Sequence, residues 1–132
     1  MITEDYVSFE TAKLLKEKGF DAECDYFYVD GELVRAQGCA YNWNKGETLF
    51  TDYKNECSAP TFQIVMKWLR EVHHVFIDID YDPHEFGDKP YFTLITNMDT
   101  CSYYSGKHLP VNRATYEEMA EAAIKYCLEN LI

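Results

Sequence analysis

At 132 residues, with 12 Lys plus Arg against 23 Asp plus Glu and a formal charge of −11, the chain has the length of one domain and the wrong sign for ordinary binding to phosphate backbones or anionic lipid. Its 47% hydrophobic and 27% charged residues exclude disordered and fibrous classes. Five cysteines, at 24, 39, 57, 101 and 127, include no Cys-x-x-Cys pair and read as reduced thiols of a cytoplasmic protein; no signal-type run and no stretch of the ~18 to 20 apolar residues of a membrane span is present.

The first helix is legible from its ends. Ser8 can accept a hydrogen bond from the unpaired amides of a first turn, Phe9, Ala12 and Leu15 recur at helical spacing, and Gly19 can take the left-handed conformation that ends a helix, which predicts a helix over 9–18. Tyr26–Val29 and Glu32–Arg35 flank Asp30-Gly31, a strong two-residue hairpin signal. Residues 36–56 read as loop, with a short strand expected at Thr48–Thr51.

Ser58-Ala59-Pro60-Thr61 is expected to open a second helix, with Pro60 in its first turn, running to about Val72. Phe62, Val65, Met66, Leu69 and Val72 form one apolar stripe that Ile64 and Trp68 widen, so the helix is expected to be largely buried. Val75–Tyr81 alternates Val75, Ile77, Ile79 and Tyr81 on one face with Phe76, Asp78 and Asp80 on the other, and Tyr91–Met98 is its expected partner. An edge strand near Tyr103 or Val111 is expected before Thr115, which with Glu118 forms a capping box opening a last helix. In that helix Tyr116, Met119, Ala120, Ala123, Ile124, Cys127, Leu128 and Leu131 face inward. The order α-ββ-α-ββ-α implies a single α+β domain, an antiparallel sheet with about three helices packed on it.

Chemistry-bearing residues are sparse. Asp78, Asp80 and Asp82 align on one side of a strand, near His84 and Glu85, where a hard cation would find oxygen ligands. A calcium loop beginning at Asp78 would need Gly and Glu where the chain has Pro83 and Lys89, and the simpler reading is a solvated strand face whose charges guard an edge. His73 and His74 lie at the end of the second helix without the i, i+4 spacing of a zinc site, and read as capping residues. Cys57, just before the expected helix start, is the thiol best placed for nucleophilic chemistry, although a buried cysteine is the commoner case. Phosphate-loop, dinucleotide and Gly-x-Ser-x-Gly signatures are missing, which weighs against an enzyme, and neither cofactor nor metal is expected.

Aromatic residues make up 16% of the chain. Tyr41, Trp43 and Tyr53 in the 36–56 segment, with Tyr103 and Tyr104 in the late loop, offer the stiff amphipathic area preferred at recognition surfaces. The competing expectation is that these rings cover an open sheet face.

Three segments carry a resemblance: Glu4–Glu10 with Leu14–Phe20; Ala59-Pro60-Thr61 with Lys67-Trp68-Leu69-Arg70-Glu71; and Tyr116-Glu117-Glu118 with Ala122–Lys125. Together they resemble a family of small uncharacterised proteins from gut anaerobes and their phages or prophages. The resemblance covers somewhat under half the chain, and the second piece is the most specific. It implies no activity and transfers no functional residue.

The leading expectation is an accessory protein of a mobile element that binds another protein through an acidic, aromatic-bearing surface, with Tyr41, Trp43, Tyr53, Tyr103 and Tyr104 as binding residues. Mimicry of nucleic acid is a special form, weakened by cations scattered along the helices. The rival expectation is a small metal-dependent hydrolase using Asp78, Asp80 and His84.

Overall fold

Ser8 opens helix α1 (Phe9–Glu17) by accepting from the Thr11 amide at 3.2 Å, satisfying one of the donors that a first turn leaves unpaired. Lys18 caps the other end. Gly19 follows at φ +87°, the Phe20 amide donates to the Leu15 carbonyl and the Gly19 amide to that of Lys16. These paired bonds are a Schellman ending, and they return Phe20 to the core, where it is 1% exposed. The computed structural model describes residues 1–45, 56–106 and 108–132, which divide into two compact units, 1–61 and 62–132.

In the first unit, β1 (Tyr26–Val29) and β2 (Glu32–Arg35) pair antiparallel, with Val29 opposite Glu32. Asp30 at φ +50° and Gly31 at φ +85° supply the two left-handed residues of a type I′ turn, whose twist matches that of the strands. The other edge of β1 takes β3 (Glu56–Ser58), with Tyr28 opposite Cys57. The strand expected at Thr48–Thr51 lies outside the described residues. β3 occupies part of what the sequence offered as a helix start, and Pro60 stays in extended chain: its carbonyl accepts from the Val7 amide at 3.0 Å, and Tyr6 bridges Thr61. Its lack of an amide hydrogen costs nothing there, because the carbonyl is the group in use.

In the second unit α2 spans Phe62–His73 and buries Phe62, Val65, Met66, Trp68 and Leu69. The expectation of a largely buried helix does not hold at two positions. Val72 is 58% exposed, because the apolar stripe outruns its cover in the last turn, and Ile64 on the flank of the stripe is also exposed. Strands β4 (Val75–Tyr81) and β5 (Tyr91–Asn97) pair along their full length, Ile77 opposite Ile95, and β6 (Ser102–Tyr103) adds to β5. Between β4 and β5 the chain makes a short helix α3 (Pro83–Phe86), capped by the Asp82 carboxylate, which accepts from the amides of His84 and Glu85 at 3.1 Å each. Helix α4 (Tyr116–Asn130) begins as its capping box predicts, with the Glu118 amide donating to Thr115 Oγ1 at 3.1 Å. It buries Met119, Ala120, Ala123, Ile124, Cys127 and Leu128, while Tyr116 and Leu131 at its ends are half-buried. Helices α2 and α4 contact each other and β4, and α4 also contacts β5.

The fold class is α+β, with four helices and two three-stranded antiparallel sheets, β2-β1-β3 and β4-β5-β6, among the described residues. The expected order is present with β3, α3 and β6 added to it, β6 falling at the edge strand expected near Tyr103, and in place of one sheet there are two, one in each unit. No helix among the described residues is long and apolar enough to cross a membrane.

Ile124→Ala empties a fully buried site and should cost about 2–5 kcal/mol, whereas Ser8→Ala removes one cap for about 1 kcal/mol. Urea titration of the two variants checks the order; an Ile124→Ala loss smaller than that of Ser8→Ala would contradict the burial.

Candidate functional site

The rings singled out by sequence separate on folding. Trp43, in a single 3-10 turn (Trp43–Lys45), is 7% exposed and stacks on Phe27 at 4.0 Å and 17°. Its indole Nε1 donates to the Cys24 carbonyl at 2.9 Å, and its backbone amide donates to Ser58 Oγ. Both donors of Trp43 are thus satisfied inside the first unit, and its role is packing in place of the expected recognition. Tyr41 sits edge-on to Trp43 at 5.2 Å, half-buried, on a stretch bridged to Cys24. It belongs to the same small core. Tyr53 lies outside the described residues. Tyr103 and Tyr104 are in the second unit; Tyr104 is half-buried, with its amide donating to the Ile95 carbonyl at 2.8 Å, while Tyr103 is 68% exposed.

Tyr103 shares its surface with residues the sequence reading passed over. Directly opposed residues of an antiparallel pair lie on one face, so the register puts Phe76, Thr96 and Tyr103 together in one row, Asp78 beside Leu94, and Asp80 beside Phe92. The opposite face holds Val75, Ile77 and Ile95, which are buried. On the outer face Phe76 is 40% exposed, Leu94 36% and Phe86 37%, with Phe86 reaching from α3 to within 5.2 Å of the Phe92 ring. Antiparallel sheets with one solvated face ordinarily show polar residues there. This one shows aromatic and aliphatic side chains interrupted by Thr96 and two carboxylates. The sequence carried a partial signal: Phe76 alternates onto the Asp78 and Asp80 face, and in β5 Phe92 and Leu94 alternate onto the same side.

The cation set of the rival reading does not assemble. Asp78 and Asp80 lie on the outer face, Asp82 is engaged in capping α3, and His84 is exposed on that helix; no group of three or more His, Cys, Asp or Glu that could hold a metal ion occurs among the described residues. The two histidines at the end of α2 part company. His74 takes φ +55° just beyond the helix, and its Nδ1 lies 2.9 Å from Asp99 Oδ1. His73 stands edge-on to Trp68 at 4.6 Å, and burial, with His74 adding to it, pushes its pKa below the ordinary value. A lowered pKa favours the neutral ring, so His73 contributes apolar packing more than charge at the helix end.

The first unit contains a cleft of ≈ 570 Å³ lined by Phe9, Lys13, Lys16, Glu17, Asp30, Glu56 and Cys57. Cys57 is in a strand and 2% exposed, so the helix N-terminus expected to activate it is not there. Burial raises its thiol pKa; the nearby charges of Lys16 and Lys13 oppose the rise without cancelling it. Lys16 donates to the Glu56 carbonyl at 2.8 Å, and the Lys13 ammonium lies 4.8 Å from the centre of the Phe9 ring. Neither geometry gives Cys57 a base.

No protein-family model, no curated protein and no solved structure matches the chain.

The cysteines divide by burial, and this is measurable. Cys39 and Cys101 are exposed; Cys24 and Cys127 are buried, with thiol pKa values pushed by burial to about 11 and about 12 from an ordinary 9.0. Between the ordinary and the raised values the folded state keeps protons that the unfolded state releases, so stability is intact below pH 9.0 and falls as pH rises towards about 12. In the native protein a thiol reagent should modify Cys39 and Cys101 quickly and the other three only on unfolding. Rapid modification of Cys57 would overturn its assignment as a buried, inert group.

Proposed function

We propose that this protein is a binding module that engages another protein through the outer face of the β4-β5-β6 sheet, an acidic and aromatic-bearing surface. The observation that carries the reading is the company of Phe76, Leu94, Phe86 and Tyr103 on one exposed face. Burying large apolar side chains contributes about 25 cal/mol per Å², and apolar area concentrated on one face is characteristic of association sites. The aromatic rings match the composition of interface centres, where Tyr and Phe are enriched; the carboxylates depart from it, since Asp is depleted there.

The acidic character bears on selectivity. Asp78 and Asp80 sit among the apolar groups, and the chain charge of −11 adds a long-range field of the same sign. Both favour encounter with a cationic surface and repel an anionic one, and the attraction weakens with salt. Nucleic acid and anionic membrane are therefore poor partners, and a protein with a basic patch is a good one.

Affinity capture from host lysate at low and high salt, run in parallel with the parent and with a Phe76→Ser/Tyr103→Ser variant, tests the reading. A partner held by the parent, weakened by salt and lost from the variant while the melting temperature stays within a few degrees, is the expected result. A partner retained by the variant would place recognition on another surface.

A further inference from the structure

We propose that the β4 edge of this face accepts one extended segment of the partner as an added strand, basic at two alternate positions and apolar at the next alternate one. The inference rests on the binding reading above and specifies its mode.

The first argument is the direction of the backbone groups. In an antiparallel ladder, residues alternate between those that turn both amide and carbonyl toward the partner strand and those that turn both away. The His74 carbonyl accepts from the Met98 amide at 2.9 Å, and the Asp82 amide donates to the Pro90 carbonyl at 3.0 Å, which brackets the ladder with bonded pairs at even positions. Phe76, Asp78 and Asp80 therefore turn their backbone groups toward β5, and Ile77 and Ile79 turn theirs to the other side. β4 lies at the end of its sheet, and among the described residues it pairs with β5 alone. The edge thus presents spaced donors and acceptors of the kind that strand addition satisfies.

The second argument is charge complementarity in the positions that this geometry selects. The side chains flanking the open edge on the outer face are Phe76, Asp78 and Asp80, and they fall at the non-hydrogen-bonded positions of an added antiparallel strand, where opposed side chains come closest. Opposite charges directly across such a pair are favourable and like charges unfavourable. Read from its N-terminus, an antiparallel guest meets Asp80, then Asp78, then Phe76, so it should carry Lys or Arg, any residue, Lys or Arg, any residue, and an apolar side chain. A second copy of this chain presents the same carboxylates and the same net charge of −11, so self-pairing at this edge works against like-charge repulsion.

Synthetic peptides test the mode directly, with the intact chain followed by NMR. Thr-Lys-Val-Lys-Val-Phe-Thr should shift the amide signals of Ile77 and Ile79, and Thr-Glu-Val-Glu-Val-Phe-Thr should bind about tenfold more weakly or less. N-methylation of the valine between the lysines blocks a strand hydrogen bond while leaving the side chains that meet the protein unchanged, so it should abolish binding. An Asp78→Lys/Asp80→Lys variant, checked for an unchanged fold by its amide spectrum, should prefer the glutamate peptide. Equal binding of the N-methylated and parent peptides would overturn strand addition and leave docking on the face intact. Equal binding of the lysine and glutamate peptides, or shifts confined to the first unit, would overturn the charge assignment or the site. Association of the chain with itself, broken by the same charge-reversed variant, would overturn the choice of occupant.

Discussion

The pairing of Ile77 with Ile95 is the constraint on which the second unit depends. Side chains alternate across a strand with period two, so a slip of one residue would carry Val75 and Ile77 into solvent and bring Asp78 and Asp80 against α2 and α4. Burying two unpaired carboxylates is so unfavourable that the register has no nearby competitor. It is reinforced from both ends of the ladder, by the bond between His74 and Met98 and by the bond between Asp82 and Pro90. The same register that hides the isoleucines fixes Phe76, Asp78 and Asp80 on the outside, with Leu94, Phe92 and Tyr103 beside them. The candidate site is in this sense a consequence of core formation.

The first unit depends on local chemistry to a larger extent. Its helix is closed by a cap and a left-handed glycine, its hairpin by Asp30-Gly31, and both devices act within a few residues. Long-range bonds then join them: the Tyr28 hydroxyl donates to the Val7 carbonyl at 2.7 Å, and Asn44 donates through its side-chain amide to the Phe20 carbonyl while its side-chain oxygen accepts from the Ser58 amide. Trp43 fills the space so framed. A ring whose indole N–H finds a buried carbonyl is worth more as a core residue than as a surface contact, because exposing it would leave that carbonyl without its donor.

What was legible in the sequence follows the range of the interactions. Helix ends, the hairpin turn and the alternation of Val75–Tyr81 are decided by neighbours in the chain, and they were readable to within a residue or two. The α+β class followed from their order. β3 was hidden because Glu56–Ser58 becomes a strand only by pairing with β1, almost thirty positions earlier, and Pro60 nearby imitates a helix start. α3 was hidden for the opposite reason: Asp82 was considered as a ligand, and its capping of two amides absorbs it. Among the candidate binding residues, loop position was a poor guide. Tyr41 and Trp43 pack together in the first unit and Tyr103 stands in solvent, although all three read alike in sequence.

The two carboxylates on β4 have a simpler rationale, and the neighbouring residues separate it from the one advanced above. Charges on an edge strand guard against unwanted pairing, and a guarded edge works best when everything around it is also polar, so that an approaching strand gains nothing by burial. Here Phe76 flanks Asp78 on the same strand and Leu94 lies directly across from it, both substantially exposed. Under the strand addition proposed above, an acidic or neutral strand approaching this edge meets uncompensated carboxylates and is turned away. A strand with cations at the matching positions neutralises them and then gains the apolar contact as well. In the proposed mode the same pair of charges therefore excludes most strands and admits one class, which is how selectivity arises from combining a repulsive element with an attractive one at a single surface.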